Sequence, residues 1–131
     1  TVVTGGGQPD GPGYFIEPTL FANATNDMRI AREEIFGPVL TAIPYDDEDD
    51  AVRIANDSDM GLCGSVWTSD TDHANEIARR VRAGVVTVNS QMILDMKAPF
   101  GGFKSSGIGR ELGIEGLGPY TELQTIINPA G

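Results

Sequence analysis

Apolar positions along this chain follow two periods, and the two alternate. Residues 1–4 are β-branched and short, a strand pattern. Residues 14–21 are apolar and aromatic with Pro18 inside, which predicts an edge or interrupted strand. In residues 27–34, Met28 and Ala31 share one face of a short helix, and Phe36-Gly37-Pro38 stops it. Residues 39–45 read as a strand. Asp46 or Asp47 is placed to cap a helix reaching Asn56, with Ala51, Ile54 and Ala55 as its apolar stripe. Residues 62–68 read as a strand holding Cys63 and Trp67. The clearest helix follows. Asp70 caps it, and Ala74, Ile77, Ala78 and Val81 line one face. Arg79, Arg80 and Arg82 sit at the negative end of its dipole, and Gly84 terminates it. Residues 85–89 form a short apolar strand of buried type. The order strand, helix, strand, helix, strand over residues 39–88 predicts an α/β layer with parallel pairing. Residues 120–127 close the chain as a strand with partial alternation, and such a strand needs another edge to pair with.

The connections are rich in turn formers, as 17 glycines and 8 prolines imply. Residues 5–13 form the densest such loop, but no Lys-Ser/Thr pair or helix signal follows, so it is no phosphate cradle. A chain of 131 residues has the length of one domain and can bury a core. Its net charge of −10 disfavours nucleic acid and an anionic membrane surface. Part of that charge, residues 46–50, falls at a helix N-terminus where the dipole favours it, and the alternating ligands and central glycine of a calcium loop are missing. One cysteine cannot form an internal disulfide, and with one histidine the chain lacks the ligands of a zinc site. No apolar run approaches the roughly 20 residues of a membrane span. No signal peptide opens the chain, and a start at Thr1 without methionine reads as a processed or excised piece.

Residues 90–97 are irregular yet apolar (Gln91-Met92-Ile93-Leu94-Asp95-Met96), a composition that suits either a pocket lining or core packing. Cys63 lies between Leu62 and Val66 with no neighbouring base, so it reads as a small buried hydrophobe and not a nucleophile. His73 reads as a surface residue.

Four segments together resemble the aldehyde dehydrogenase family. They are Gly13-Tyr14-Phe15-Ile16-Glu17-Pro18-Thr19, Arg32-Glu33-Glu34-Ile35-Phe36-Gly37-Pro38, Pro99 to Gly107 with Gly109-Arg110-Glu111, and Tyr120-Thr121-Glu122. Their order and spacing match the family's C-terminal quarter. The resemblance implies a partial three-layer α/β/α catalytic domain over residues 1–119 and an oligomerisation strand over residues 120–131. It implies oxidation of an aldehyde to a carboxylic acid with NAD or NADP. A cysteine thiolate attacks, hydride leaves to the nicotinamide, and a glutamate serves as base. Those two groups and the pyrophosphate-binding turn lie in segments that these 131 residues lack. The chain alone is therefore expected neither to bind the cofactor nor to turn over.

By the same resemblance, Glu34 accepts hydrogen bonds from the nicotinamide-side ribose, which an ionised carboxylate can do for two hydroxyls at once. Phe36 packs against the cofactor. Phe100, Met92 and Leu94 line the aldehyde tunnel, and their apolar character suits an apolar or general aldehyde. Arg110 and Glu122 join ionic contacts near a subunit interface, while Lys104 is structural. The implied partners are the aldehyde, the remainder of the enzyme chain and further copies of it in a dimer or tetramer, in the cytoplasm. The rival reading is a non-catalytic binding or oligomerisation module that keeps the scaffold.

Overall fold

Two aspartates start the long helices where the sequence places them. In the computed structural model, which describes residues 1–91 and 93–129, Asp47 Oδ1 accepts from the Asp50 N–H at 2.8 Å and Asp70 Oδ1 from the His73 N–H at 3.0 Å. Each satisfies a backbone donor that a helix N-terminus leaves unpaired. The chain forms two units, Thr1–Ser58 and Asp59–Gly131. The fold is mixed α/β.

The first unit holds a three-stranded sheet in the order β1 (Val2–Thr4), β2 (Thr19–Phe21), β3 (Val39–Thr41). β1 runs antiparallel to β2, and β2 runs parallel to β3 with Leu20 opposite Leu40. β2 is shorter than the apolar run over residues 14–21 predicts. It starts only after Pro18, which has no N–H to give a ladder. Thr19 anchors that start: its buried hydroxyl donates to Glu17 O at 2.7 Å and accepts from Gly6 N–H at 2.8 Å. α1 spans only Arg29–Arg32, because Met28 offers no side-chain cap and Glu33 turns extended. α2 (Glu48–Asn56) buries Val52, with Ala51 and Ile54 half-buried beside it. Ala55, expected in that stripe, is exposed.

In the second unit β4 (Cys63–Val66) pairs in parallel with β5 (Val85–Val88), and α3 (Thr71–Arg80) crosses between them and packs on both. This is the βαβ arrangement the pattern predicts. Ala74 is fully buried, with Ile77 and Ala78 half-buried on the same face. Two details differ. The helix ends at Arg80 with Val81 already extended, so Gly84 is not its terminator. And β3 pairs only with β2, so the run of parallel strands over residues 39–88 is split between two sheets. Beyond β5, a short 3₁₀ helix (Lys104–Ser106) and a second one (Glu115–Tyr120) follow. Residues 121–129 carry no strand where the sequence predicts one over residues 120–127; the segment pairs with no edge of either sheet. No helix among the described residues is long and apolar enough to cross a membrane.

Surface area shows how little of the apolar content these units cover. The chain exposes 10197 Å². Two separate globules of the sizes of the two units would together expose only roughly 8,000 Å². Among the described residues, Ala24, Val52 and Ala74 are the buried apolar ones, while Phe15, Leu40, Trp67, Leu117 and Ile127 stay open. The isolated 131-residue chain is therefore expected to self-associate. Light scattering that returned a sharp monomer with a cooperative melt would contradict this.

Candidate functional site

In the first unit, the segment after α1 presents two adjacent features. Glu33 caps the helix and pairs with Arg29 at 2.8 Å. The hydrogen bond from Arg29 holds its carboxyl below the usual range. Glu34, the next residue, is exposed, and nothing among the described residues bonds its carboxylate. Phe36 follows, 91% exposed as a residue and with its backbone left-handed, φ 53°. A bulky residue in that region costs about 1–3 kcal/mol and persists where function or surroundings require it. A carboxylate bonds hydroxyls and an aromatic ring packs on planar groups, and here the two lie two residues apart, both exposed.

That segment is held at its base by α2. Arg32 Nη1 donates to Asp57 O at 2.9 Å and Oδ1 at 3.3 Å, and Arg32 Nη2 donates to Asp57 Oδ2 at 3.0 Å. Asn26 Nδ2 donates to Ile54 O at 2.9 Å, Asp57 O at 3.3 Å and Asp57 Oδ2 at 3.2 Å. Asp57 is the C-terminal cap of α2. The donors around it, Asn26 first, hold its carboxyl below the usual range. Sequence reasoning missed this cluster, because its members lie 25 and 31 residues apart.

In the second unit, the irregular segment after β5 is pinned at its start. Ser65 Oγ and Thr87 Oγ1 both donate to Ser90 O, at 2.7 and 2.8 Å. Asn89, left-handed at φ 51°, bonds both ways to the Thr68 backbone, accepting from its N–H at 2.8 Å and donating to its carbonyl at 2.7 Å. None of these positioning residues carries a motif that would have marked it. Further along, Asp95 Oδ1 accepts from Lys97 N–H at 2.9 Å, and its carbonyl from Ala98 N–H at 3.1 Å, which folds the segment back. An open hollow results, lined by Val85, Ile93, Leu94, Asp95, Pro99 and Phe100 among others. Leu94 and Phe100, two predicted tunnel residues, thus share one wall system. Met92 lies outside the described residues.

Phe100 is fixed by a two-residue antiparallel bridge to Glu111, with both bonds at 2.7 Å. Arg110 is half-buried. Its Nη1 donates to Gly109 O at 2.6 Å and Gly102 O at 3.2 Å, and its guanidinium stacks 5.3 Å from the Phe103 ring centre. Glu122 is exposed in the terminal segment, and the two do not pair with each other within the chain. Lys104 is left-handed at φ 54° and opens the first 3₁₀ helix.

Cys63 is exposed, not buried as the sequence suggests. Enough of the unit still crowds its sulfur for burial to push the thiol up from its ordinary value, opposite to what a nucleophile needs. His73 is exposed and lies 3.6 Å from Glu76. Among the described residues, no cluster of three His, Cys, Asp or Glu could hold a metal ion.

Comparison with known proteins bears on these features together. The model of the aldehyde dehydrogenase family matches residues 1–126. Geranial dehydrogenase of Castellaniella defragrans is 55% identical over 125 residues, 95% of this chain and 26% of that protein. Aldehyde dehydrogenase 1A1 of Mesocricetus auratus is 50% identical over 122 residues, 93% of this chain and 24% of that protein. The chain thus spans about a quarter of the length of these relatives. Among solved structures, the NAD+ complex of Mycobacterium tuberculosis aldehyde dehydrogenase superposes with a TM-score of 0.90 at 51% identity, covering 99% of this chain and 27% of that one. Betaine aldehyde dehydrogenase of Staphylococcus aureus in complex with NAD+ gives 0.87 at 44% identity, covering 92% and 25%.

Proposed function

This chain belongs to the aldehyde dehydrogenase family, and we propose that it is the C-terminal part of an NAD(P)-dependent enzyme that oxidises an aldehyde to a carboxylic acid. The observation that carries the reading is the pairing of the unbonded Glu34 carboxylate with the bare, strained Phe36. Both groups suit a nicotinamide riboside, Glu34 by accepting from the ribose hydroxyls and Phe36 by packing on the cofactor. The nicotinamide, when bound, takes up the hydride. Glu34 fixes the ribose and so limits the orientations from which transfer can occur.

Leu94, Met92 and Phe100 line the aldehyde's path, and an apolar aldehyde is the class we favour. Among the described residues lining the hollow, Asp95 is the one charged group, and it spends an oxygen on its own turn. A cationic aldehyde would call for free carboxylates or several aromatic faces, and among those residues Phe100 is the one aromatic ring. The nucleophilic cysteine and the general base belong to the remainder of the enzyme chain. Residues 120–131 serve as an oligomerisation strand whose partner edge belongs to another subunit of a dimer or tetramer, with Arg110 and Glu122 near that interface. A chain with one cysteine suits the cytoplasm.

The intact enzyme is expected to reduce NAD or NADP when given an unbranched aliphatic aldehyde, read by the absorbance of reduced nicotinamide. The 131-residue chain alone is expected to give none. No turnover by the intact enzyme with either cofactor, or turnover by this chain by itself, defeats the reading.

A further inference from the structure

We propose that Asp57 is a positioning residue for the cofactor carboxylate, acting through Arg32 on Glu34; this rests on the cofactor role proposed above for Glu34. The need for such a residue follows from α1 itself. It has four residues and no side-chain cap, and an isolated helix of that length does not hold its own shape in water. Glu34 lies two positions beyond its last residue, in a stretch without regular structure. Orientation must therefore come from outside α1.

Asp57 supplies it from the end of a nine-residue helix. It is bonded on both sides of α1, by Asn26 before the helix and by Arg32 at its end. The Arg32 fork meets the carboxylate with two nitrogens on two oxygens, at 3.3 and 3.0 Å, which fixes direction as well as distance. The same fork reaches the Asp57 carbonyl, where the dipole of α2 favours a cation. Both side chains are partly open to water, with 38% of Arg32 and 46% of Asp57 exposed, so the pair adds little to global stability. Its effect is geometric. It sets where the Glu33–Pro38 segment leaves α1, and with it the place of the Glu34 carboxylate.

The test uses the intact enzyme. Asp57→Ala is expected to slow the single-turnover hydride step about ten- to a hundredfold, with the melting temperature and the aldehyde KM nearly unchanged. Asp57→Glu keeps the charge and a bidentate acceptor, and is expected to recover most of the rate. In an enzyme already carrying Glu34→Gln, Asp57→Ala should slow the step no further, since both changes act through one carboxylate. Additive losses in the double variant overturn the proposal. So does an unchanged hydride step in both Asp57→Ala and Asp57→Asn, the latter included in case Asp57→Ala fails to fold. If Glu34→Gln alone leaves hydride transfer intact, the cofactor role of Glu34 falls, and this proposal with it. If Glu34→Gln slows transfer while the Asp57 variants do not, only the positioning role falls.

Discussion

Glu34→Gln in the intact enzyme is expected to slow hydride transfer by about a hundredfold, while the aldehyde's KM changes by less than about threefold. The expectation comes from what the substitution removes. Gln keeps the shape and one oxygen acceptor, but loses the charge and the second acceptor that let a carboxylate hold two hydroxyls. The cofactor would still bind through its other contacts, yet its ribose would sample more orientations, few of them productive. Glu34 has no bond to a described residue, so its loss should not destabilise the fold. Single-turnover stopped-flow separates the two quantities. A hydride step equal to that of the unaltered enzyme would remove Glu34 from the cofactor site.

Gly84→Ala should have the largest structural effect of any conservative change in the second unit. A Cβ on Gly84 would sit 1.6 Å from the carbonyl oxygen of Gly101 and 3.3 Å from Gly102 Cα. The obstacle is backbone, so no side chain can rotate away. Overpacking of this kind costs about 3 kcal/mol, the upper end of the usual range. The strain would fall on the chain next to Phe100, so activity should drop together with stability. The control is Gly118→Ala, where an added Cβ meets nothing within 4 Å; it should stay within about 0.5 kcal/mol of the parent. Thermal inactivation half-lives of the two variants decide the matter, and equal values would mean the close approach at Gly84 is not there.

Gly84 also marks the limit of what the sequence makes legible. Read locally, a glycine after an amphipathic stretch is a helix terminator. In the structure α3 has already ended at Arg80, and Gly84 is there because another part of the backbone, 17 residues on at Gly101, passes against it. Local chemistry was readable: the cap Asp70, the α2 cap as one of Asp46 and Asp47, the Ala74 face of α3 and the parallel pairing of β4 with β5 follow from spacing, and the structure selects Asp47. What spacing could not supply were contacts closed over distance, such as Arg32 with Asp57 or the two hydroxyls on Ser90 O. The strand expected over residues 120–127 is not formed within the described residues, and alternation alone does not say which edge a strand would join. The candidate site divides the same way. Glu34 and Phe36 look unremarkable as composition and gained meaning only from their segment's resemblance to a family. Leu94 and Phe100 gained a common hollow only once Asp95 was seen to turn the chain.

The left-handed backbone at Phe36 has a consequence for attempts to make such an enzyme hardier. A glycine at that position would relax the loop at rest and would rank well in any screen that scores heat resistance without ligand. It would also delete the ring that, on the proposed function, packs on the cofactor. Selection for toughness and selection for turnover therefore pull this one position in opposite directions.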